Sequence, residues 1–191
     1  VDTFNTCRKF FGVANGAYLF TEKELDINIP KGYSTDCMKH LIDRIDKSPE
    51  EAFSEYHSSE AKMDQDEIRQ MSRITQRIMS TIDYDAVADR RKHNYQILDS
   101  ALRETNSLDI TMASNTVPMV YPYLIKDGDK LRKRLIEHRV YAARYWPNVE
   151  KWASRDSFEY YFANKLLPLP IDQRYNEKDM KRIIQLIKAN A

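Results

Sequence analysis

Glycine is scarce in this chain: there are 4 in 191 residues, and three of them, Gly12, Gly16 and Gly32, fall in the first 32. Cysteine is scarcer still. Cys7 and Cys37 form no CxxC pair and no disulfide framework, which points to a reducing, cytoplasmic setting. No apolar run approaches the roughly 20 residues that span a bilayer, so no membrane span is expected. Neither sign of charge dominates. With 30 basic and 29 acidic residues the net charge is +1, which removes the electrostatic case for a nucleic-acid or anionic-membrane partner. His40, His57, His93 and His138 show no HxH or HExxH spacing, so no metal site is expected. Asp64-Gln65-Asp66-Glu67 lacks the glycine and spacing of a calcium loop and reads as a solvated linker. The opening Val1-Asp2-Thr3-Phe4-Asn5 has no initiator Met, no basic n-region and no apolar h-region. It is no signal peptide, and it allows a start inside a longer polypeptide as readily as processing.

What is present reads as mixed helix and strand. Asn15-Gly16 is a turn signal, and Ala17-Tyr18-Leu19-Phe20 is expected to be a short buried strand. From Thr35 to about Asn106 the pattern is helical. Met38, Leu41, Ile42 and Ile45 fall at helical spacing, and so do Ile74, Ile78 and Ile82. Ser48-Pro49-Glu50-Glu51 is a helix start, with a capping serine, proline at the first position and acids in the first turn. Tyr84 to Arg103 forms a longer helix with Val87, Arg91, Tyr95, Leu98 and Leu102 on one face, Arg91 marking its edge. Further on, Val117 to Ile125 is strand-like but carries two prolines, which confine it to an edge. Asp129 to His138 is a charged helix, Val140 to Ala143 a candidate second strand, and Ser157 to Asn164 a short helix. Leu166-Leu167-Pro168-Leu169-Pro170 is apolar and proline-broken. The last helix is capped by Asn176 and striped by Met180, Ile183, Ile184 and Ile187. This alternation predicts an α/β unit from about Asp109 onward. The first hundred residues make a poor core alone and need a sheet from elsewhere.

Chemistry concentrates in Thr6-Cys7-Arg8-Lys9-Phe10-Phe11-Gly12-Val13-Ala14-Asn15-Gly16-Ala17. Most lysines beside a turn are solvated, and that reading stands. The sharper one is a lysine desolvated by Phe10 and Phe11 with Arg8 nearby. Both effects favour the neutral amine, which can condense with an aldehyde cofactor.

The same segment resembles the cofactor-lysine region of one branch of the DegT/DnrJ/StrS sugar aminotransferases, where a hydroxyl residue, Arg-Lys, Gly-Val and Asp-Gly-Gly/Ala precede a strand. Arg69-Gln70-Met71-Ser72-Arg73-Ile74-Thr75, Ile82-Asp83-Tyr84 and Arg90-Arg91-Lys92-His93-Asn94-Tyr95 resemble its linker helices. Val117-Pro118-Met119-Val120-Tyr121-Pro122 resembles the strand opening its small domain. Tyr145-Trp146-Pro147 matches an aromatic-Trp-Pro element. Leu167 to Tyr175 and Glu177 to Met180 are similar to its closing strand and last helix.

The resemblance implies an α/β chain, the C-terminal part of a type I pyridoxal-phosphate (PLP) fold. Residues 1–108 would end the large cofactor domain, and residues 109–191 would form a small α/β domain. It implies that Lys9 holds PLP and, as a released amine, moves the proton between the substrate's Cα and the cofactor's C4′. Thr6 would help hold the phosphate, and Arg8 receives no defined role. The parent enzyme would aminate a keto sugar, nucleotide-linked or not, from a donor such as glutamate. The product would feed polysaccharide biosynthesis, and the enzyme would be a homodimer. Two features depart from the family. Ile68-Arg69-Gln70 stands where many members have Asn-Tyr-Arg, whose Asn reaches the partner subunit's phosphate. The half that supplies the acid at the pyridine nitrogen and the phosphate cradle has no counterpart in these residues, so the isolated chain is expected to be inactive.

Two other classes stay open, a catalytically dead remnant serving as an interaction or dimerisation module and an unrelated α/β binding domain. Lys130 to Arg134 reads as the charged face of an amphipathic helix, since Leu131 and Leu135 make its other side. Tyr141, Tyr145, Trp146 and Trp152 read as core before site, although the family places its aromatic-Trp-Pro element near the substrate cleft.

Overall fold

The computed structural model describes residues 1–63 and 66–190. Asp64 and Gln65, half of the acidic stretch read as a linker, lie outside the described residues. The chain divides into two compact units, Val1–Ile82 and Asp83–Ala191, each of mixed helix and strand.

In the first unit β1 (Thr3–Thr6) pairs antiparallel with β2 (Ala17–Phe20), with Phe4 opposite Leu19 and Thr6 opposite Ala17. The strand expected at Ala17–Phe20 is there, but it is not buried: every residue of β2 is exposed. Among the described residues this ribbon has two strands and no third, and its side chains on both faces reach solvent. Three helices follow, α1 (Lys39–Asp46), α2 (Pro49–Met63) and α3 (Arg73–Met79). Ser48 starts α2 as the sequence indicates. Its hydroxyl accepts the Glu51 backbone N–H at 3.2 Å, while the Glu51 carboxylate accepts the Ser48 N–H at 3.1 Å. The hydrophobic centre of this unit is small: Cys7, Val13 and Met79, flanked by Phe11, Met71, Ile78 and Ile82.

The second unit opens with α4 (Tyr84–Leu102), whose N-cap Asp83 accepts the Ala86 N–H. By packing, α4 belongs with the C-terminal elements, because Tyr95, Leu98 and Leu102 enter their core. The domain division expected at 108/109 is the one the resemblance implies, whereas compactness divides the chain at Ile82/Asp83. Next come β3 (Val120–Leu124), α5 (Gly128–Glu137), α6 (Val149–Trp152), α7 (Phe158–Lys165), β4 (Leu166–Pro170) and α8 (Glu177–Asn190). The core joins Tyr121 and Tyr123 of β3, Leu131 and Leu135 of α5, Leu167 and Leu169 of β4, and Met180, Ile183 and Ile187 of α8.

β3 and β4 pair antiparallel, with Pro122 opposite Pro168 and Val120 opposite Pro170. That arrangement works because of which way these residues face. The Pro122 carbonyl accepts from Asn106 Nδ2 at 2.9 Å, and the Leu124 N–H donates to Asn106 Oδ1 at 2.9 Å. Residues 122 and 124 therefore turn their backbone groups away from β4. The ladder bonds fall on the rungs of Tyr121 with Leu169 and Tyr123 with Leu167. All three prolines sit on rungs that need no N–H.

Two expectations fail here. Val140–Ala143 is not a strand, although Val140 and Ala142 are buried and their neighbours are exposed. The chain leaves α5 through Arg139 at φ 58°, and the Val140 N–H closes back on the Leu135 carbonyl at 2.8 Å, so the segment joins no ladder. Arg91 is not at the edge of its helix face but 1% exposed, inside the unit. Its guanidinium donates to Gln173 Oε1 at 3.0 Å and to the carbonyls of Met119 at 3.0 Å and Pro118 at 3.3 Å. Here the arginine ties α4 to the approaches of both strands.

Candidate functional site

Lys9 ends a single 3-10 turn, Cys7–Lys9, that follows β1 directly. The turn closes where the Cys7 carbonyl accepts the Phe10 and Phe11 N–H groups at 3.1 and 2.9 Å, and the Cys7 N–H donates to the Gly16 carbonyl at 3.0 Å. Both ends of the loop are thereby fixed to the β1–β2 ribbon. Its middle folds inward, burying Val13 and Ala14.

Lys9 itself is exposed. The desolvation expected from Phe10 and Phe11 does not occur, because Phe11 packs instead against the Cys7, Val13 and Met79 cluster. Arg8 is likewise drawn off, into an ion pair with Glu60 of α2. Among the described residues neither the Lys9 amine nor the half-buried Thr6 hydroxyl has a hydrogen-bond or ion-pair partner. An unengaged amine and an unengaged hydroxyl thus stand at the two ends of one turn. That set fits the attachment point of an aldehyde cofactor and one contact to its phosphate. It does not amount to a full cradle.

Behind the turn lies a polar cluster that sequence reasoning missed. Asn15 Nδ2 donates to Ser34 Oγ at 3.0 Å and to the Tyr33 carbonyl at 3.3 Å. Asn15 Oδ1 accepts from Thr75 Oγ1 at 2.8 Å and from Ser72 Oγ at 3.2 Å. Ser72 also caps α3, accepting the Thr75 N–H at 3.3 Å. Ser34, Ser72 and Thr75 are all buried. The signal available in the sequence was Ser72 three residues before Thr75, a cap pattern that says nothing of a partner 57 residues away.

In the same unit His40 is buried at 8% exposure, set edge-on to Tyr56 at 5.6 Å between ring centroids. Its Nδ1 is buried without a hydrogen-bond partner. Burial, then the Arg8 charge, holds its pKa below the ordinary histidine value. Of the other histidines, His93 meets Glu177 at 2.9 Å, and His138 Nδ1 meets the Arg134 carbonyl at 2.9 Å. His57 is packed edge-on to Phe53 at 4.5 Å. Among the described residues no three potential ligands are grouped to hold a metal ion, and no helix is long and apolar enough to cross a membrane.

The aromatic group read as core is not core. Tyr141, Trp146 and Trp152 are exposed, Tyr145 is half-buried, and Trp146 takes φ 52°. Lys130 to Arg134 behaves as a helix face: Leu131 is buried, while Lys130, Lys133 and Arg134 face solvent.

No protein-family model and no curated protein sequence matches the chain. Among solved structures, the sugar aminotransferase CalS13 from Micromonospora echinospora is similar over 57% of this chain and 32% of its own length. The identity there is 15% and the TM-score 0.46. A likeness that distant carries no argument about what the chain does.

Proposed function

We propose that this chain is part of a PLP-dependent sugar aminotransferase, with Lys9 as the cofactor lysine. The observation that carries the reading is the state of the Lys9 amine: exposed, unengaged, and held on a turn closed between two paired strands. The ordered resemblance from Thr6 to Met180 supports the family and the keto-sugar substrate. The chain spans 32% of the length of the solved aminotransferase above, so donor, sugar and dimer belong to the whole protein and are part of the same proposal.

In this reading Lys9 would hold the cofactor, and Thr6 would hydrogen-bond its phosphate. When bound, the cofactor supplies an electron sink for a carbanion at the substrate's Cα. The Lys9 amine would move the proton between the substrate's Cα and the cofactor's C4′, and its turn would keep the nitrogen in place between the two transfers. Arg8, held by Glu60, keeps its charge on α2 rather than on the amine. The residues of this chain do not complete a phosphate site, so the isolated chain is expected to take up PLP weakly and without selectivity.

The test is PLP titration followed by borohydride reduction and peptide mapping. In a polypeptide extended by the residues encoded upstream of Val1, label should concentrate on Lys9, with a visible absorbance that Lys9→Ala abolishes. Label on another lysine would overturn the assignment. The exposed apolar ribbon of the first unit favours a second reading, a remnant serving as an interaction module. A start codon immediately before Val1 would favour that one.

A further inference from the structure

We propose that Asn15 is the positioning residue for Lys9: one side-chain amide sets the turn that carries the amine by tying it to Ser34 and to the N-terminus of α3. The inference rests on the reading of Lys9 as the cofactor lysine.

An Asn-Gly pair between two strands ordinarily marks a two-residue turn in which asparagine is chosen for its tolerance of positive φ. That reason does not apply here. The only non-glycine residues at positive φ among those described are Arg139 and Trp146, so Asn15 has ordinary backbone geometry. The left-handed position belongs to Gly16, at φ +104°, where an added Cβ would lie 2.9 Å from the Met71 methyl. What Asn15 supplies is its amide. One group must donate to Ser34 Oγ and the Tyr33 carbonyl and accept from Ser72 and Thr75, and a primary amide does all of this while staying neutral. Aspartate would lose the donor and bury a charge among hydroxyls, and alanine would leave four polar partners to rearrange.

The link from Asn15 to Lys9 is short. The carbonyl of the next residue, Gly16, accepts the Cys7 N–H, and the Cys7 carbonyl closes the turn through Phe10 and Phe11. Lys9 lies inside that closure. Met71 against Gly16 and Thr75 on Asn15 place α3 behind the same point. The turn therefore answers to the linker segment following Gln70, and not only to the ribbon that flanks it.

The experiment uses the full chain, with Asn15→Ala and Thr75→Val compared with the parent. Thr75→Val keeps the shape and removes the donor to Asn15 Oδ1, so it decides the matter should Asn15→Ala fold poorly. Hydrogen exchange is followed by mass spectrometry in peptides over residues 7–16 and 39–62. Lysine acylation is followed at Lys9 and at Lys39 separately. Exchange over 7–16 should rise about tenfold in Asn15→Ala, as expected when a buried hydrogen-bonded anchor is lost, and in the same direction for Thr75→Val. Exchange over 39–62 should stay within about twofold, and acylation of Lys9 should change by at least about twofold while that of Lys39 stays constant. A general loosening of the unit would instead release Lys39 from Glu55 and raise its acylation, because the Lys9 amine is already exposed and unengaged. Unchanged exchange over 7–16 would overturn the proposal, and so would equal loss over 39–62 with increased acylation of Lys39. Neither readout uses PLP. Failure of Lys9 to take the cofactor would sink the functional reading and leave the exchange result standing.

Discussion

At the scale of single residues, buried polar groups are where pattern reading and structure part company. Hydrophobic periodicity identified the face of α4 but assigned Arg91 to its rim, because a charge inside costs free energy unless it is fully hydrogen-bonded. The acceptors that make burial tolerable, Gln173 and the carbonyls of Pro118 and Met119, lie far along the chain, and two of them are backbone groups without a sequence signature. Arg91→Ala should lower the stability of the second unit by about 2–4 kcal/mol in urea unfolding read by circular dichroism. Arg91→Lys should recover little of it, since an ammonium lacks the planar fork that spans these acceptors. Full recovery with lysine would show that charge alone is what the site needs. His40 gives a pH prediction for the first unit. The groups bearing on it are Arg8, Arg44, Glu60, the Cys37 backbone and Tyr56. Its folded pKa is lowered below the ordinary 6.5, so the folded state binds fewer protons than the unfolded one. The stability it contributes is present above pH 6.5 and is lost as pH falls through the lowered value. Protection of α1 and α2 against hydrogen exchange should fall as the pH is lowered below 6.5, and His40→Phe should flatten that slope. A slope unaltered by the substitution would assign the effect to other groups.

At the scale of elements, those whose sequence carries both a cap and a stripe were legible. Ser48, Ser157 and Asn176 each start a helix as read, and the Met180, Ile183, Ile187 stripe of α8 enters the core. Extended segments were less legible, since a strand is defined by its partner. Val140–Ala143 alternates in burial as a strand does, yet no neighbouring backbone completes it. β2 was placed correctly along the chain and wrongly by burial, because its apolar composition says what it would bury and not whether a cover is present. The prolines of β3 and β4 read only as a restriction, and their opposed register turns out to be what makes the pairing possible. The rung assignment can be tested directly. Pro168→Ala should cost only about 1–2 kcal/mol, from its buried ring and the freer unfolded chain, because no ladder bond is gained or lost. Leu169→Ala should cost about 2–5 kcal/mol through its fully buried side chain. Leu169→Pro should cost at least about 2 kcal/mol more, since it also deletes a ladder N–H opposite Tyr121. Equal losses for the two Leu169 variants would place the hydrogen-bonded rungs on the wrong residues.

At the scale of the whole molecule, the candidate site was legible as a segment and illegible as an arrangement. Thr6 and Lys9 could be picked out by motif, but the Asn15 cluster that underlies them is assembled from three separate stretches of chain. The same scale decides how the chain should behave in solution. A two-stranded ribbon is marginal by itself, and this one presents apolar side chains on both faces. Phe4 is 79% exposed beside Leu19 on one face, and Phe20 is 59% exposed with Tyr18 on the other. Ile45 of α1 and Phe53 of α2 are exposed as well. Exposure of that kind drives association when the surfaces of two copies can cover each other, and a stable pair needs about 800 Å² from each partner. The chain should therefore scatter light as a dimer or larger species at roughly tens of micromolar, and added salt should not dissociate it, because apolar burial is insensitive to screening. Replacing Phe4, Leu19 and Phe20 together by serine should shift it towards monomer and leave the helical circular-dichroism signal intact, since none of the three enters either hydrophobic cluster. Dissociation by salt alone would identify the contact as electrostatic. A monomer for the unaltered chain at that concentration would mean that the exposed ribbon tolerates water without a partner.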